Sequence, residues 1–364
     1  MTQYDKKILD LYTDYLITSF GQTTATGLSQ LLNYTVSHDS ITRMLTHSHF
    51  DSEDLWKFAK PFIRKIQSPT GIVIIDDCVM EKPHMSENAI VNYHYDHSKG
   101  KTVRGINFLT CCYESIYQDS SICLPVQVEV VMKDEKYFDD KHGEYRYRST
   151  KTKNQIYQES LLKFQATQTP YQYIVNDVWY ASVENMIFVQ KRLNKHFVMP
   201  IKTNRQIRIY QEFKKENEKM EFQSVELFDL LEDVTYIVQI KGLPFTVNLI
   251  RHIYRNEDGS EGVVHLVTND QNLRGLDVLK IYQRRWKIEP YHKSLKQNTN
   301  LTKSPASKVR TQQNHVLAAV FAYIKLEGLK ILSGMNHFAM KAILYVDALK
   351  ASRSAFERLK LKYI

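Results

Sequence analysis

The chain has 364 residues, 43% of them hydrophobic, which is enough to bury a full core and suggests two or three structural units rather than a disordered tail. The formal net charge of +9 favours a polyanionic partner, and residues 271–364 alone hold eighteen Lys/Arg against five Asp/Glu. The N-terminus lacks a signal-type apolar core, and the longest apolar helical run, residues 316–324, is far below the roughly 20 residues that cross a bilayer, so we expect no membrane insertion and no export.

Cysteine usage points in the same direction. The four cysteines show no CxxC pairing; they are Cys78, Cys111, Cys112 and Cys123. This pattern is typical of a reduced cytoplasmic protein rather than of a disulfide scaffold or a zinc knuckle. We therefore expect a cytoplasmic protein.

Residues 1–68 predict a helical domain with the outline of a helix-turn-helix, in which two short amphipathic stretches are joined through residues 33–36. Ser37 is placed to cap the second helix, which leaves Ser40, Thr42 and Arg43 near its exposed face for contacts with DNA. A plain helical bundle is an equally good interpretation, because this segment has seven Lys/Arg and seven Asp/Glu and so no net charge.

Strand-like sequence begins after Gly71. Residues 72–75 are a β-branched apolar run that ends in Asp76 and Asp77, as a buried central strand would, and residues 103–112 and 124–132 predict two more strands. The polar residues 94–101 predict a loop or hairpin tip whose histidines are not metal ligands.

The rest of the chain alternates between helical and strand-like sequence. A helix over 153–166 precedes a strand over 171–175, which ends at Asn176 and Asp177, and a further helix covers 183–193. Residues 196–268 predict a β-rich insertion within an α/β domain that spans 69–300. Three helices follow, over 273–296, 308–332 and 340–359, and residues 301–364 form a basic C-terminal helical region.

Two aspartates follow apolar strands about a hundred residues apart. Asp77 and Asp177 each lie at a predicted strand end, where an α/β sheet presents side chains to a ligand. Phosphodiester cleavage by two metal ions needs carboxylates that converge from separate elements. The pair alone is a weak signal.

A stronger signal lies in residues 282–296. At about 100° per residue, Tyr282, Arg285, Glu289 and Lys296 fall within roughly 60° of arc. One stripe would therefore place a carboxylate among groups that hold phosphates, with Trp286 beside it to stack on a base.

The alternative for this stripe is a solvated helix face, in which an Arg285 to Glu289 pair contributes only a few tenths of a kcal/mol. Pro290 complicates the geometry, because proline removes a helical donor and clashes with the preceding turn. We expect a kink between Trp286 and Glu289.

These residues resemble the cut-and-paste transposases of bacterial insertion sequences with a DDE site, in the branch defined by a Tyr-(2)-Arg-(3)-Glu-(6)-Lys motif. Tyr282, Arg285, Glu289 and Lys296 match that spacing without a gap. The resemblance extends over residues 70–300, to the strand that contains Asp77 and to the Asp-x-x-Tyr segment at 177–180. The family often has Thr or Ser after its first catalytic Asp, where this chain has Cys78, and the Asp76-Asp77 doublet leaves the assignment open by one residue; we choose Asp77.

The resemblance implies an RNase H-like catalytic domain with a β-rich insertion, flanked by N-terminal and C-terminal helices. It implies that Asp77, Asp177 and Glu289 hold two Mg²⁺ ions, which Mn²⁺ can replace, and that Tyr282, Arg285, Trp286 and Lys296 contact DNA. The expected partners are the terminal inverted repeats, target DNA and a second copy of the chain, in a bacterial cytoplasm at the nucleoid.

Two other functions stay open. One is a catalytically silent, transposase-derived DNA-binding protein, against which the presence of all three acids argues. The other is a structure-specific nuclease on the same fold, which would cut DNA without joining it.

Overall fold

The computed structural model describes residues 2–96, 100–140, 143–210 and 221–363. The N-terminal segment of the protein is helical, as predicted. Its first helices are α1 Gln3–Thr18, α2 Ala25–Leu31, α3 His38–His47 and α4 Ser52–Ile66. The Ser37 hydroxyl accepts a hydrogen bond from the Ser40 amide at 3.2 Å, so Ser37 caps α3 as predicted. Thr42 and Arg43 are exposed on α3, and Ser40 is half-buried.

A large mixed sheet forms the centre of the molecule. Eleven of the described strands lie in this sheet, in the order β10-β9-β11-β12-β13-β8-β7-β1-β3-β2, with β4 also paired to β3. The strands are β1 Ile72–Glu81, β2 Val91–Asp96, β3 Lys101–Tyr117, β4 Ser120–Val130, β5 Glu135–Asp139, β6 Glu144–Arg148, β7 Tyr173–Asn176, β8 His196–Ile201, β9 Gln206–Ile209, β10 Gln223–Ser224, β11 Tyr236–Ile240, β12 Thr246–Arg255 and β13 Glu261–Thr268.

Strand β1 lies between an antiparallel partner, β3, and a parallel partner, β7. The apolar run at residues 72–75 is fully buried, as predicted. The strand does not end at the aspartates, however, because β3 is long enough to pair with it as far as Glu81. The pairing with β7 stops at Ile75 and Asn176, so Asp76 and Asp77 lie just beyond the parallel part of the ladder.

The strands of the predicted insertion continue the central sheet. β8 pairs in parallel with β7, and β13 pairs with the other edge of β8. β12, β11, β9 and β10 follow outward in the same sheet. This β-rich segment is therefore an extension of the sheet within the described chain; residues 211–220 of the predicted insertion lie outside the described residues.

Two structural features were not predicted. His94, expected in a loop, lies in β2, and His97 lies outside the described residues. β5 and β6 form a separate two-stranded ribbon. Phe138 and Tyr145 pair across this ribbon with ring centroids 5.2 Å apart, and both rings are exposed.

The predicted helix over residues 273–296 is divided by a 3₁₀ turn at Arg284–Lys287. The helices after the first four are α5 Lys153–Gln165, α6 Val183–Ile187, α7 Leu276–Gln283, α8 Ile288–Asn298, α9 Val309–Ser333 and α10 His337–Tyr363, and a π-helical turn at Phe188–Arg192 extends α6. Pro290 lies in the first turn of α8, where a backbone donor is not needed. The 3₁₀ turn ends at Lys287, so the regular α-helix is interrupted in the region where a kink is predicted, and the kink itself stays a prediction.

Helix α9 joins the predicted segments 1–68, 69–300 and 301–364 into one hydrophobic core. It is buried on nearly all sides, and it packs against α1, α3, α4, α8 and β4. The Tyr12 hydroxyl and His315 Nδ1, 2.8 Å apart, link α1 to α9. All four cysteines are free and buried. No helix among the described residues is long and apolar enough to cross a membrane.

Candidate active site

Asp77 is held on β1 by three donors. Asn107 Nδ2 and Lys153 Nζ each lie 2.7 Å from Oδ2, and the Tyr180 hydroxyl donates to Oδ1 at 2.7 Å. Burial by itself would raise the pKa of the Asp77 carboxyl, but the Lys153 ammonium and the hydrogen bonds outweigh it and hold the pKa below its usual value. Asp77 is therefore a fixed carboxylate.

Asp76 points away from Asp77, as alternation along a strand requires. Its Oδ2 lies 3.6 Å from Nη1 of Arg285. Burial raises the pKa of Asp76 to about 7, although the charge of Arg285 acts in the opposite direction. The two neighbouring acids thus have different partners and different protonation behaviour.

Asp177 follows β7 directly, as predicted. Its Oδ1 accepts a hydrogen bond from the Val178 amide at 2.5 Å and so caps the 3₁₀ turn Val178–Tyr180. This turn carries the Tyr180 hydroxyl to Asp77. The Asp-x-x-Tyr segment therefore links the two predicted catalytic aspartates.

Arg285 connects the helical segment to the sheet. Nη1 lies 3.6 Å from Glu289 Oε1 as well as from Asp76, and the guanidinium is also 5.7 Å from the ring centroids of both Tyr282 and Trp286. Its Nε is buried and lacks a hydrogen-bond partner among the described residues. Glu289 and Trp286 are exposed, whereas Tyr282 is buried.

Lys296, at the other end of the motif, reaches β1 beside Cys78. Burial raises the pKa of the Cys78 thiol to about 11, an effect that the nearby Lys296 ammonium partly offsets. The segment 282–296 therefore meets β1 twice, through Arg285 at Asp76 and through the packing of α8 against the strand. Within the described chain, no three of Asp76, Asp77, Asp177 and Glu289 bring ligand atoms within 4.8 Å of one another.

Two cavities flank the aspartates. Asp77 and Tyr180 line one of about 800 Å³. Asp177 and Tyr282 line another of about 570 Å³. Asp76 lines neither of these two cavities, although its side chain, at 16% exposure, is about as accessible as that of Asp77, at 18%.

Comparison with known proteins assigns the family. Residues 2–220, more than half of the chain, match the family described as DDE superfamily endonuclease, and residues 146–325 match the Transposase DDE domain. The chain belongs to the DDE superfamily of endonucleases. The comparison with curated proteins gave no match. Membership makes this a nuclease-type enzyme of the DDE transposase kind, with DNA as its expected substrate and a dependence on divalent metal ions.

Sequence reasoning missed several residues of this DDE enzyme. Lys153 begins α5 and Asn107 lies in β3, and neither forms part of a local motif. Arg284 was given no predicted role, yet it donates to the buried Glu114 carboxylate at 2.7 Å and so anchors the 3₁₀ turn to β3. The two neighbouring arginines thus have different partners, Glu114 for Arg284 and Asp76 for Arg285.

A second group of potential metal ligands lies elsewhere in the DDE enzyme. Within the described residues, Glu232, Asp233 and His252 bring ligand atoms within 4.8 Å of one another. Arg255 already forms two hydrogen bonds with the Glu232 carboxylate, at 2.9 and 2.6 Å. His252 Nδ1 lies 2.8 Å from Asp233 Oδ1. These partners explain the group as a local ion-pair network at the start of β11.

Proposed function

We propose that this DDE enzyme is a cut-and-paste transposase of the Tyr-(2)-Arg-(3)-Glu-(6)-Lys branch, which cleaves DNA at transposon ends and transfers the strand into target DNA. The observation that carries the proposal is the double contact of the motif segment with β1. Arg285 contacts Asp76 and α8 packs against β1, so the segment that contains Glu289 runs along the part of β1 that contains Asp77. Asp77, Asp177 and Glu289 are the proposed catalytic acids.

The catalytic domain is proposed to be RNase H-like, with the β-rich segment inserted between Asp177 and Glu289. The placement of the two aspartates supports this, because they lie beside the paired ends of neighbouring parallel strands, β1 and β7. The helices on either side of residues 69–300 would then position this domain on DNA.

The donor set fits a divalent metal ion. Carboxylate oxygens are the hard ligands that Mg²⁺ and Mn²⁺ take, and the Lys153 ammonium, 2.7 Å from Asp77 Oδ2, marks a position where this carboxylate accepts a cation. Asp77, Asp177 and Glu289 would hold two Mg²⁺ ions or, in their place, Mn²⁺. When bound, these ions would supply activation of the attacking hydroxyl and stabilisation of the leaving oxygen.

The other motif residues are proposed to hold DNA. The unpaired Nε of Arg285 is a donor available to a phosphate oxygen, and the exposed Lys296 adds a second cation. The Trp286 ring is 56% exposed and can stack on a base. Tyr282 is buried against Arg285, so its proposed role is to orient that guanidinium and to contact DNA only at the rim of the Asp177 cavity.

Binding to the ends of the element requires a surface outside the catalytic site. Helix α3 is proposed to contact the terminal repeats through the exposed Thr42 and Arg43 and the half-buried Ser40. The basic C-terminal helices would add affinity for the backbone that weakens with salt.

Helix α10 supports the proposed homodimer on paired ends. Its exposed apolar residues include Leu349, Phe356 and Leu359, each more than half exposed. Apolar residues at such spacing on an exposed helix are a typical contact surface for a second helix. Leu349→Glu should therefore convert dimers to monomers in sedimentation experiments; Lys350→Glu, on the neighbouring exposed position, is the matched control.

The test of the catalytic proposal compares wild type with Glu289→Gln on labelled DNA that carries the ends of the element, with Mg²⁺ or Mn²⁺. We expect nicking and joined products from wild type, and binding without cutting from the variant. Glu257→Gln, an exposed glutamate in the turn before β13, should behave as wild type.

The same assay separates the alternatives. Cutting without joined products would identify a nuclease. Binding without cutting by both proteins, with either metal, would identify a silent DNA-binding protein.

A further inference from the structure

The cavity beside Asp77 has walls from several separate parts of the chain. Its volume is about 800 Å³. It lies between β2, the start of α5 and the 3₁₀ turn after β7, and Asp77 is one of its lining residues. Pockets of about 300–1,000 Å³ enclose small ligands, so the space is suited to nucleotides and too small for a double helix.

Three aromatic rings line this cavity. Tyr93, Tyr95 and Trp179 are 49%, 54% and 53% exposed. Rings that large usually lose most of their exposed area on folding, and a group of them around one space provides faces on which bases can stack. In a double helix the bases already stack on each other, so these faces are useful only to unpaired nucleotides.

Cations surround the rings. Lys133, Lys151 and Lys153 line the cavity, and Asp77 is its only lining acid among the described residues. Lys133 Nζ is held by the Tyr93 carbonyl at 2.7 Å, which fixes a positive charge beside that ring. The combination of aromatic faces and lysines around one space is typical of sites that hold single strands.

A buried polar atom in the same wall lacks a partner. His94 is 9% exposed and lines the cavity, and its Nε2 has no hydrogen-bond partner among the described residues. Buried polar atoms are almost always satisfied, so an unpaired one at the wall of an open cavity points to a bound group that completes it. A base edge or a phosphate oxygen would do so.

Trp179 also connects this cavity with its neighbour. Lys202 Nζ lies 4.6 Å from the centre of the Trp179 ring, and Lys202 lines the second cavity together with Asp177 and Tyr282. A strand that crosses the Trp179–Lys202 pair therefore passes from the Asp77 side to the Asp177 side. The path runs past both aspartates.

We propose that the Asp77 cavity is a binding site for an unpaired DNA strand, whose bases stack on Tyr95 and Trp179 and whose phosphates contact Lys133 and Lys151. This inference rests on the proposed function, because it places the reacting strand in that cavity. Its consequence is that the enzyme should prefer DNA ends that are frayed or opened over fully paired ends.

The test measures binding and not cleavage. The full chain is titrated in EDTA with a fluorescent oligo-dT and, separately, with a blunt duplex of the same length. Trp179→Ala and Tyr95→Ala should each weaken oligo-dT binding about tenfold while duplex binding changes less than twofold. Trp179→Phe should recover most of the lost affinity, because a phenyl ring still stacks.

Tyr4→Ala is the matched control, since Tyr4 on α1 has a similar exposure, 56%, and lies far along the chain from the cavity. Unchanged oligo-dT affinity in both cavity variants would overturn the inference, and so would an equal loss of single-strand and duplex binding. If wild type binds neither DNA, the proposed function itself fails. Because Tyr95 and Trp179 lie on separate elements, local misfolding of one variant would leave the other variant as an independent test.

Discussion

The acids on the sheet and the acid on the helical segment are held in opposite ways. Asp77 accepts three hydrogen bonds at 2.7 Å, and Asp177 caps a turn beside it. Glu289 is half exposed, and among the described residues its Oε1 forms an ion pair with Arg285 Nη1 at 3.6 Å. The sheet therefore fixes its carboxylates before any ligand arrives, whereas the position of Glu289 depends on the 3₁₀ turn and on Arg285.

The largest effect should separate the two neighbouring aspartates. Asp77→Asn should lower single-turnover nicking in Mg²⁺ by at least about a thousandfold, because it removes a preorganised charged group that faces the cavity. Asp76→Asn should cost less than about tenfold, since Asp76 acts only through Arg285. Equal losses in a gel assay of nicked product, or a greater loss for Asp76→Asn, would reassign the first catalytic acid.

Arg284→Ala should act on stability. Its partner Glu114 is 1% exposed and would be left as an unpaired buried charge, so we expect a loss of about 3 kcal/mol in the free energy of unfolding. Urea unfolding followed by circular dichroism measures it. Lys280→Ala, which breaks an exposed pair with Asp277, is the control and should change stability by less than about 1 kcal/mol.

Acid should loosen the packing of α1 on α9 at His315, as it should loosen the edge strand β2 at His94, whose pKa burial also lowers to about 4. Burial, reinforced by the charge of Lys82, lowers the pKa of His315 to about 4, while the unfolded chain has a value near 6.5. Because the folded state favours the neutral ring, this stability is complete above about pH 6.5 and is lost as the pH falls toward 4, by about 2 kcal/mol at pH 5.

Hydrogen exchange can show which helices and strands lose stability at low pH. At pH 5 the amides of α1 and α9 should exchange faster relative to those of β1 than at pH 7, after correction for intrinsic rates. His315→Gln, which does not titrate, should reduce the pH dependence. An equal loss of protection in α1, α9 and β1 would contradict this prediction.

Arg285→Lys should have a much smaller effect than Asp77→Asn, about a tenfold loss of nicking at unchanged stability. Lysine keeps the charge but cannot contact Asp76, Glu289 and a phosphate at once. Raising the metal concentration should not restore the rate if Arg285 contacts the phosphate. Full recovery in excess Mn²⁺ would show instead that Arg285 acts only by placing Glu289.

Local sequence patterns predicted the elements that have strong periodicity. The buried run before Asp77, the strand before Asp177 and the Ser37 cap are all present, because burial, alternation and capping are properties of neighbouring residues. β5 and β6 were missed because short strands rich in aromatic and charged residues have no apolar face to reveal them.

The partners of the candidate site depend on contacts between distant residues. Lys153 meets Asp77 from a position 76 residues away, and Tyr180 from 103. No local pattern specifies such pairs. Pro290 predicted a kink between Trp286 and Glu289, but neither the 3₁₀ turn at Arg284–Lys287 nor the contact of Arg284 and Arg285 with different acids was predicted.

The way in which α9 and the segment before it hold the N-terminal helices has a geometric consequence. Asn314 donates to the carbonyls of Leu45 and Ser48 at the end of α3, and Asn300 donates to those of Leu16 and Ser19 at the end of α1. If α3 binds a terminal repeat, these contacts fix the distance along the DNA between the repeat and the catalytic acids. Inserting about five base pairs between repeat and cut site would turn the DNA half a helical turn and place the wrong face of the duplex at the acids.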